Sequence, residues 1–228
     1  MRSLGIYSFG RKKSERCPNK VLRPFGGTTL TDIVLSKLQK LGSSSFFAGY
    51  EEVFRQKCEA ANVTFIQRDQ RSALIDEPIV DILSFLKEVT YDYLLWINPC
   101  LPLLRVQTIK SFLDTCIADG YAPAFPVIRR GTHFIRADRK PVNFDPTVKT
   151  LNTKTVEPLY EMAHAFYFFN RQFFLDNETY WDWNEVRTVE LKDKIELIDI
   201  DTEEDFSLAE SLWEARAKCD RSERSVGT

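Results

Sequence analysis

Short apolar runs alternate with amphipathic stretches through the first 130 residues of the chain. Residues 4–9, Leu-Gly-Ile-Tyr-Ser-Phe, read as a first strand. Residues 31–41 carry Ile33, Val34, Leu38 and Leu41 at helical spacing, and Gly42 stands where a helix C-terminus favours glycine. A short apolar strand over 45–49 precedes a charged surface helix over 51–61, and 63–67 alternates as a strand. Pro78 suits the start of a helix over 78–89, with Ile79, Ile82, Leu83 and Leu86 on one face. Residues 93–97 form the most apolar strand, predicted to be central; a helix over 106–118 and a strand over 122–128 follow. Repeated strand-then-helix units predict an α/β protein with a mostly parallel, doubly wound sheet.

The rhythm then breaks. Residues 129–160 are polar, with Lys140-Pro141, Asp145-Pro146 and several threonines, and read as a hairpin plus an irregular connection. Roughly 30 residues without a helix inside a compact domain point to a lid or an oligomerisation arm. Strands are predicted over 165–169 and 195–200, and a closing helix over 203–218. The charged tail, 220–228, is expected to fray. Residues 1–228 are expected to form a single domain.

Composition narrows the function more by exclusion than by assertion. A net charge of −2 gives no global field toward nucleic acid or a membrane surface. No window reaches transmembrane length and no leader pattern opens the chain, so a cytoplasmic protein is expected. Cys17, Cys58, Cys100, Cys116 and Cys219 include no CxxC pair, and His133 and His164 are the only histidines, so no zinc pattern is available and reduced thiols are expected. Seventeen phenylalanines suggest extra aromatic packing, in the core or between subunits. Neither a G-x-x-x-x-G-K-[ST] phosphate loop nor a G-x-G-x-x-G dinucleotide fingerprint occurs. His164, beside Phe166-Tyr167-Phe168-Phe169, is expected to be packed, His133 solvated, and neither is partnered by a nucleophile elbow.

The basic charge is instead local. Between Arg11 and Arg23 lie six Lys or Arg and one acid, Glu15. Such a run is either a solvated loop or, directly after a first buried strand, a seat for a small polyanion. Gly10 is expected to turn the backbone there and Pro18 to stiffen it. At the other end of the chain, Asp199 and Asp201 in Ile198-Asp199-Ile200-Asp201 would face one side of a strand. Two adjacent carboxylates repel unless a cation lies between them, which suggests Mg²⁺; the alternative is that they are solvated. Asp205, three residues after Thr202, reads as part of a capping box. Two more candidates follow strands: the proline-stiffened segment from Asn98 to Arg105, and Arg68-Asp69 with Asp76, the last also readable as a helix cap.

Three ordered segments resemble the cytidylyltransferases that activate acidic sugars with CTP, the CMP-sialic acid and CMP-KDO synthetases. Arg11-x-x-Ser14-x-Arg16-x-Pro18-x-Lys20-x-Leu22 resembles their N-terminal signature, Asn98 to Arg105 the Gln-Pro-Thr-Ser-Pro-Leu-Leu-Arg segment of the sialic acid branch, and Ile198 to Phe206 that branch's C-terminal motif. The resemblance implies a Rossmann-like nucleotidyltransferase fold and a homodimer whose inserted dimerisation arm falls at 129–160. It also implies transfer of CMP from CTP to a nonulosonic sugar acid, with release of pyrophosphate. By the same resemblance Arg11, Ser14, Arg16 and Lys20 hold the triphosphate, Asp199 and Asp201 ligate Mg²⁺, and Asn98 lies near the sugar acid or ribose. Arg68 and Asp76 fall in the region bordering the nucleoside, and Asp201 is the candidate general base. The chain departs from the sialic acid branch at Glu15, where that branch has Lys, and at Val21, where it has Asn; Arg16 matches the KDO branch, whose acidic motif is replaced by Trp96-Ile97-Asn98-Pro99. Open alternatives are therefore KDO or another acceptor, and a CTP-binding homologue without catalysis.

Overall fold

The computed structural model describes residues 2–226, with side chains as far as residue 219. Its centre is a mixed eight-stranded sheet. The strands are β1 (Leu4–Phe9), β2 (Ser45–Gly49), β3 (Thr64–Gln67), β4 (Tyr93–Ile97), β5 (Ala124–Arg130), β6 (Leu159–Met162), β7 (Phe166–Asn170) and β8 (Arg187–Glu190). Their order is β3-β2-β1-β4-β7-β5-β6, with β8 pairing β5. β1 pairs in parallel with β2 and β4, β2 with β3, and β5 with β8, whereas β7 runs antiparallel to both β4 and β5. The most apolar strand, β4, is thus central, as its composition predicts.

The helices are α1 (Leu30–Leu41), α2 (Glu52–Ala60), α3 (Gln70–Leu74), α4 (Ile79–Ile82), α5 (Val106–Ala118), α6 (Arg171–Asn177) and α7 (Glu203–Val226). Strand residues alternate between two cores, one on each face of the sheet. Ile6, Phe47, Leu95, Phe166 and Phe168 pack with α1, α5 and α7, while Tyr7, Phe46, Leu94, Tyr167 and Phe169 pack against Leu83, Phe85, Phe174 and Trp181 on the other side. Burial on both faces explains why these strands read as continuous apolar runs. Much of the phenylalanine excess is spent here, in buried ring pairs such as Phe112–Phe166, whose centroids lie 4.4 Å apart.

Two sequence expectations need correction. The single helix over 78–89 is two short pieces, α4 and a 3-10 turn over Ser84–Lys87. Between them Leu83 (φ −101°, ψ 24°) leaves helical geometry, and Ser84 Oγ donates to the Asp69 carboxylate at 2.9 Å, so a tertiary tether overrides the apolar period. The strand over 195–200 is a 3-10 turn, Ile195–Leu197, running into extended backbone with no sheet partner. Among the described residues its one ladder-like bond goes to a loop, from Ile200 N to Cys100 O at 3.0 Å. The stretch 129–160 carries no helix, only the end of β5, an isolated bridge between Ile135 and Pro141, and the first residues of β6. The frayed tail expected over 220–228 falls on residues whose side chains, and at 227–228 the backbone too, lie outside the described residues. No helix among the described residues is long and apolar enough to cross a membrane.

β1 delivers the basic loop, and its start is tightly constrained. A Cβ at Gly5 would lie 2.4 Å from Cδ2 of Tyr91, whose ring stacks on Phe46 at 6.1 Å. Replacing Gly5 by Ala is expected to lower stability by about 1–3 kcal/mol through overpacking. A urea unfolding curve checks this: the midpoint should fall at constant slope, and an unchanged midpoint would mean that Tyr91 swings aside freely.

Candidate active site

The loop from β1 to α1 is a built structure. Cys17 and Val21 are buried, and the Val21 carbonyl accepts from both Thr31 N (3.0 Å) and Thr31 Oγ1 (2.7 Å). Between them Pro18 and Asn19 occupy the corners of a turn closed by Lys20 N to Cys17 O at 3.2 Å. Asn19 has φ +54°, the left-handed conformation that the third position of a type II turn requires. Gly10 does not serve by turning: its φ is not positive, and a Cβ there would press on Phe47 at 3.0 Å and Phe54 at 3.3 Å. It is a close-approach glycine, correcting the expectation of a sharp turn.

The turn aims Lys20 across the molecule. Its ammonium donates to the carbonyl of Ile200 and lies 3.3 Å from Oδ1 of Asp201. Arg16 reaches the same Oδ1 at 2.9 Å. Arg11 donates to Ile75 O at 3.0 Å and pairs with the Asp76 carboxylate. Asp76 is therefore an ion-pair partner; the cap of α3 is Asp69, and α4 starts from Pro78. Arg23, at the end of the basic run, clamps the start of α7, with both Glu203 oxygens at 2.8 and 2.6 Å and the Phe206 ring 3.6 Å from its guanidinium carbon. Glu15 is exposed, lies 3.6 Å from Lys13 and lines the cleft described below.

The acidic stretch is pinned to the loop after β4 at three points. Besides the Ile200–Cys100 bond, Asn98 Nδ2 donates to Asp199 Oδ2 at 3.0 Å, and buried Glu196 accepts Arg105 N at 2.9 Å and pairs with its side chain. Asn98 also donates to His164 O at 2.8 Å and accepts Cys100 N at 2.9 Å, so both its N–H donors and one acceptor position hold this corner. Burial raises the Asp199 pKa to about 6, the neighbouring Asp201 charge adds to the rise, and Lys20 and Asn98 oppose it. Cys100 is no nucleophile: burial pushes its thiol up to about 12. Asp205 completes the predicted capping box, accepting Thr202 N at 2.9 Å while Thr202 Oγ1 accepts Asp205 N at 3.2 Å.

These elements enclose a cleft of about 430 Å³ at the C-terminal ends of β1 and β4. Arg11, Ser14, Arg16, Lys20, Asp76, Asn98 and Asp201 all line it, so seven of the nine residues singled out from the sequence converge. Asp199 stands behind Asn98, in contact with it. Arg68 does not reach the cleft. It is 1% exposed and donates to the carbonyls of Gly10 (3.3 Å), Ser72 and Ile82 (3.0 Å) beneath Phe9. A strand-end arginine that finds three buried carbonyls is a fastener for the loop, and burial lowers its pKa to about 10, with Arg11 adding to the effect. Sequence reasoning missed the apolar wall, Phe9 and Trp96, stacked with centroids 5.8 Å apart. Both sit at the C-terminal ends of the first and central strands, where the strand predictions already located the site.

His164 is exposed, not packed in the core, with its Nδ1 against the Tyr167 hydroxyl; His133 rests edge-on against Phe144 at 4.8 Å. Among the described residues no group of three or more His, Cys, Asp or Glu could hold a metal by itself. The donor chemistry of Asp199 and Asp201 nevertheless fits Mg²⁺. The Asp201 charge acts on Asp199, and Mg²⁺ characteristically takes one or two carboxylates and completes its shell with phosphate oxygens and water.

Solved structures share this fold. The structure is similar to CMP:2-keto-3-deoxy-manno-octonic acid synthetase complexed with CTP, with a TM-score of 0.69 at 13% identity over 94% of this chain and 99% of that one. It is similar to 4-diphosphocytidyl-2C-methyl-D-erythritol synthase from Anaerococcus prevotii, at TM-score 0.62 and 12% identity over 93% and 99% of the two chains. A cytidylyltransferase from Leptospira borgpetersenii gives TM-score 0.58 at 14% identity over 92% and 86%. At such identities the likeness establishes the fold, that of a Rossmann-like nucleotidyltransferase. No curated protein matches the sequence. The family model of the MobA-like NTP transferase domain matches residues 10–172, from the basic loop through β7 and into α6. That span is more than half of the chain, and the protein belongs to the MobA-like NTP transferase domain family.

Proposed function

We propose that the protein is a cytidylyltransferase that transfers CMP from CTP to a nonulosonic, sialic acid-like sugar acid and releases pyrophosphate. The observation that carries this reading is the meeting of the basic loop and the acidic stretch in one cleft, with Lys20 joined to Asp201. Three structural neighbours, one complexed with CTP, one a cytidylyltransferase and one the synthase of a diphosphocytidyl compound, support cytosine nucleotides. The same neighbours support KDO as the second acceptor to test, since one of them is the synthetase of CMP-KDO and Arg16 matches that branch.

In this reading the sugar acid's anomeric hydroxyl attacks the α-phosphorus, the bond to the bridging oxygen breaks, and pyrophosphate leaves with the negative charge. Arg11, Arg16 and Lys20 line the side of the cleft where that charge develops, and preorganised cations there lower the barrier. Each is already oriented by an acid or a carbonyl, Asp76 and Ile75 for Arg11 and Asp201 for Arg16 and Lys20. The arriving triphosphate exchanges carboxylate partners for phosphate oxygens. Asn98 orients Asp199, and Asp201, which lines the cleft, takes the hydroxyl proton in this reading. Mg²⁺, held by Asp199 and Asp201, would neutralise phosphate charge when bound. Ile135, Val142, Val148 and Leu151 are exposed along 129–160, and we assign this segment as the arm of a homodimer.

The direct test is a panel of acceptors and nucleotides scored by pyrophosphate release. Release with CTP and a nonulosonic acid is expected; release with KDO alone would reassign the acceptor, and tight CTP binding without turnover on any acceptor would reduce the protein to a binding homologue. Asp201→Asn is expected to lower kcat by on the order of 10²-fold or more at unchanged circular dichroism, and near-normal release by this variant would remove Asp201 from the chemistry. The Asp199 pKa of about 6 fixes the direction of a pH effect. Asp199 binds a cation only when ionised, so kcat/KM should fall as the pH drops through about 6. A flat profile down to pH 5 would contradict the role given to the pair.

A further inference from the structure

A second cavity, of about 550 Å³, lies between α1, the start of α5 and α7, on the far side of the 98–105 loop from the cleft. Four cations line it: Lys37, Lys40, Arg105 and Arg216. Arg105 is neutralised by Glu196 and Asp193, and the one lining acid, Asp32, is occupied by Lys57 at 2.7 and 2.8 Å. Among the described residues Lys37, Lys40 and Arg216 have no carboxylate partner. In a chain of net charge −2, three such cations around one cavity are a local reversal of sign.

Lys37 is the informative member. It is buried, and its ammonium donates to Leu101 O at 2.7 Å and Pro102 O at 3.1 Å. An ammonium has three donors, and the third finds no partner among the described residues. Arg216 spends one nitrogen on Leu103 O at 3.0 Å, and Lys40 is exposed at the rim. α5 starts at the same cavity, with Val106 in its lining, but its N-terminus is already met by the Glu196 carboxylate, which accepts Arg105 N at 2.9 Å, so the site rests on the side-chain cations. Trp213, half-buried, supplies a flat apolar wall.

We infer that this cavity is a second ligand site, separate from the nucleotide cleft, that binds a small phosphate-bearing molecule. Its phosphate lies among Lys37, Lys40 and Arg216, and an apolar or planar remainder rests on Trp213. The inference does not depend on which nucleotide or acceptor the cleft takes. Burial pulls the Lys37 pKa down to about 7, with Arg216 lowering it further and Glu196 opposing. Below that pH Lys37 is charged and a bound anion stabilises its charged form; above it the site loses one positive charge. The other charged groups facing the cavity are Asp32, Lys40, Arg105 and Arg216, with Glu196 behind Arg105.

The test is an amide NMR titration of the full chain with sodium sulfate at constant ionic strength, sulfate being a phosphate mimic whose charge stays fixed near neutral pH. Shifts are expected at Ser36, Lys37, Val106 and Arg216 with one common Kd, and they should persist in Lys20→Met, which disables the cleft. Lys40→Glu combined with Arg216→Gln should weaken that Kd about tenfold or more, the equivalent of losing one charge-assisted hydrogen bond. Affinity should also fall as the pH rises through about 7. Shifts confined to residues 10–20, shifts abolished by Lys20→Met, or a Kd unchanged in the double variant would each overturn the inference.

Discussion

The ammonium of Lys20 joins the first loop of the chain to its last turn, bonding to the carbonyl of Ile200 and the carboxylate of Asp201. Everything else in the cleft is arranged around that junction. A half-buried ammonium between a carbonyl and a carboxylate is favourable only if both sides are held rigidly, because the desolvation of the charge must be offset by well-placed partners. The basic side is held by the Pro18-Asn19 turn and the buried Cys17 and Val21, the acidic side by its attachment to the loop after β4. The central strand therefore positions both halves: β1 beside it launches the cations, and its own C-terminal loop fixes the acids.

That loop has two neighbours. On one face Asn98 and Cys100 hold the acidic stretch; on the other Lys37 gathers the carbonyls of Leu101 and Pro102. Two prolines stiffen the segment between, so the cleft and the second cavity are opposite sides of a single rigid connection. Charge organisation follows the same logic. The protein is near neutral overall, and folding gathers positive charge at the cleft and again at the second cavity.

Hydrophobic period and strand-end position revealed much of this from the sequence. The β1–β4 strands, α1, α2 and α5 follow from periodicity because each buries one face against the sheet. The acidic stretch was misread as a strand because its apolar residues, Ile198 and Ile200, alternate as strand residues do; its partner turned out to be a proline-bearing loop, and no local pattern encodes that. Arg68 shows the converse limit. A charged residue after a strand looks like a ligand to an anion, and only the fold reveals three carbonyls converging on it from Gly10, Ser72 and Ile82. Arg11, Arg16 and Lys20 were legible because they sit in a loop with too few acids to neutralise them locally; their partners lie at positions 76 and 201, far along the chain.

The central claim is that the Lys20 junction is the seat of the nucleotide's phosphates. Calorimetric titration of CTP into the Lys20→Met variant, with its fold verified by circular dichroism, tests it most directly. Binding weaker than that of the unaltered protein by about 10²-fold is expected if a charge-assisted contact and its orienting role are lost together. An unchanged Kd would contradict the account, because the cation around which the cleft is built would then not touch the nucleotide.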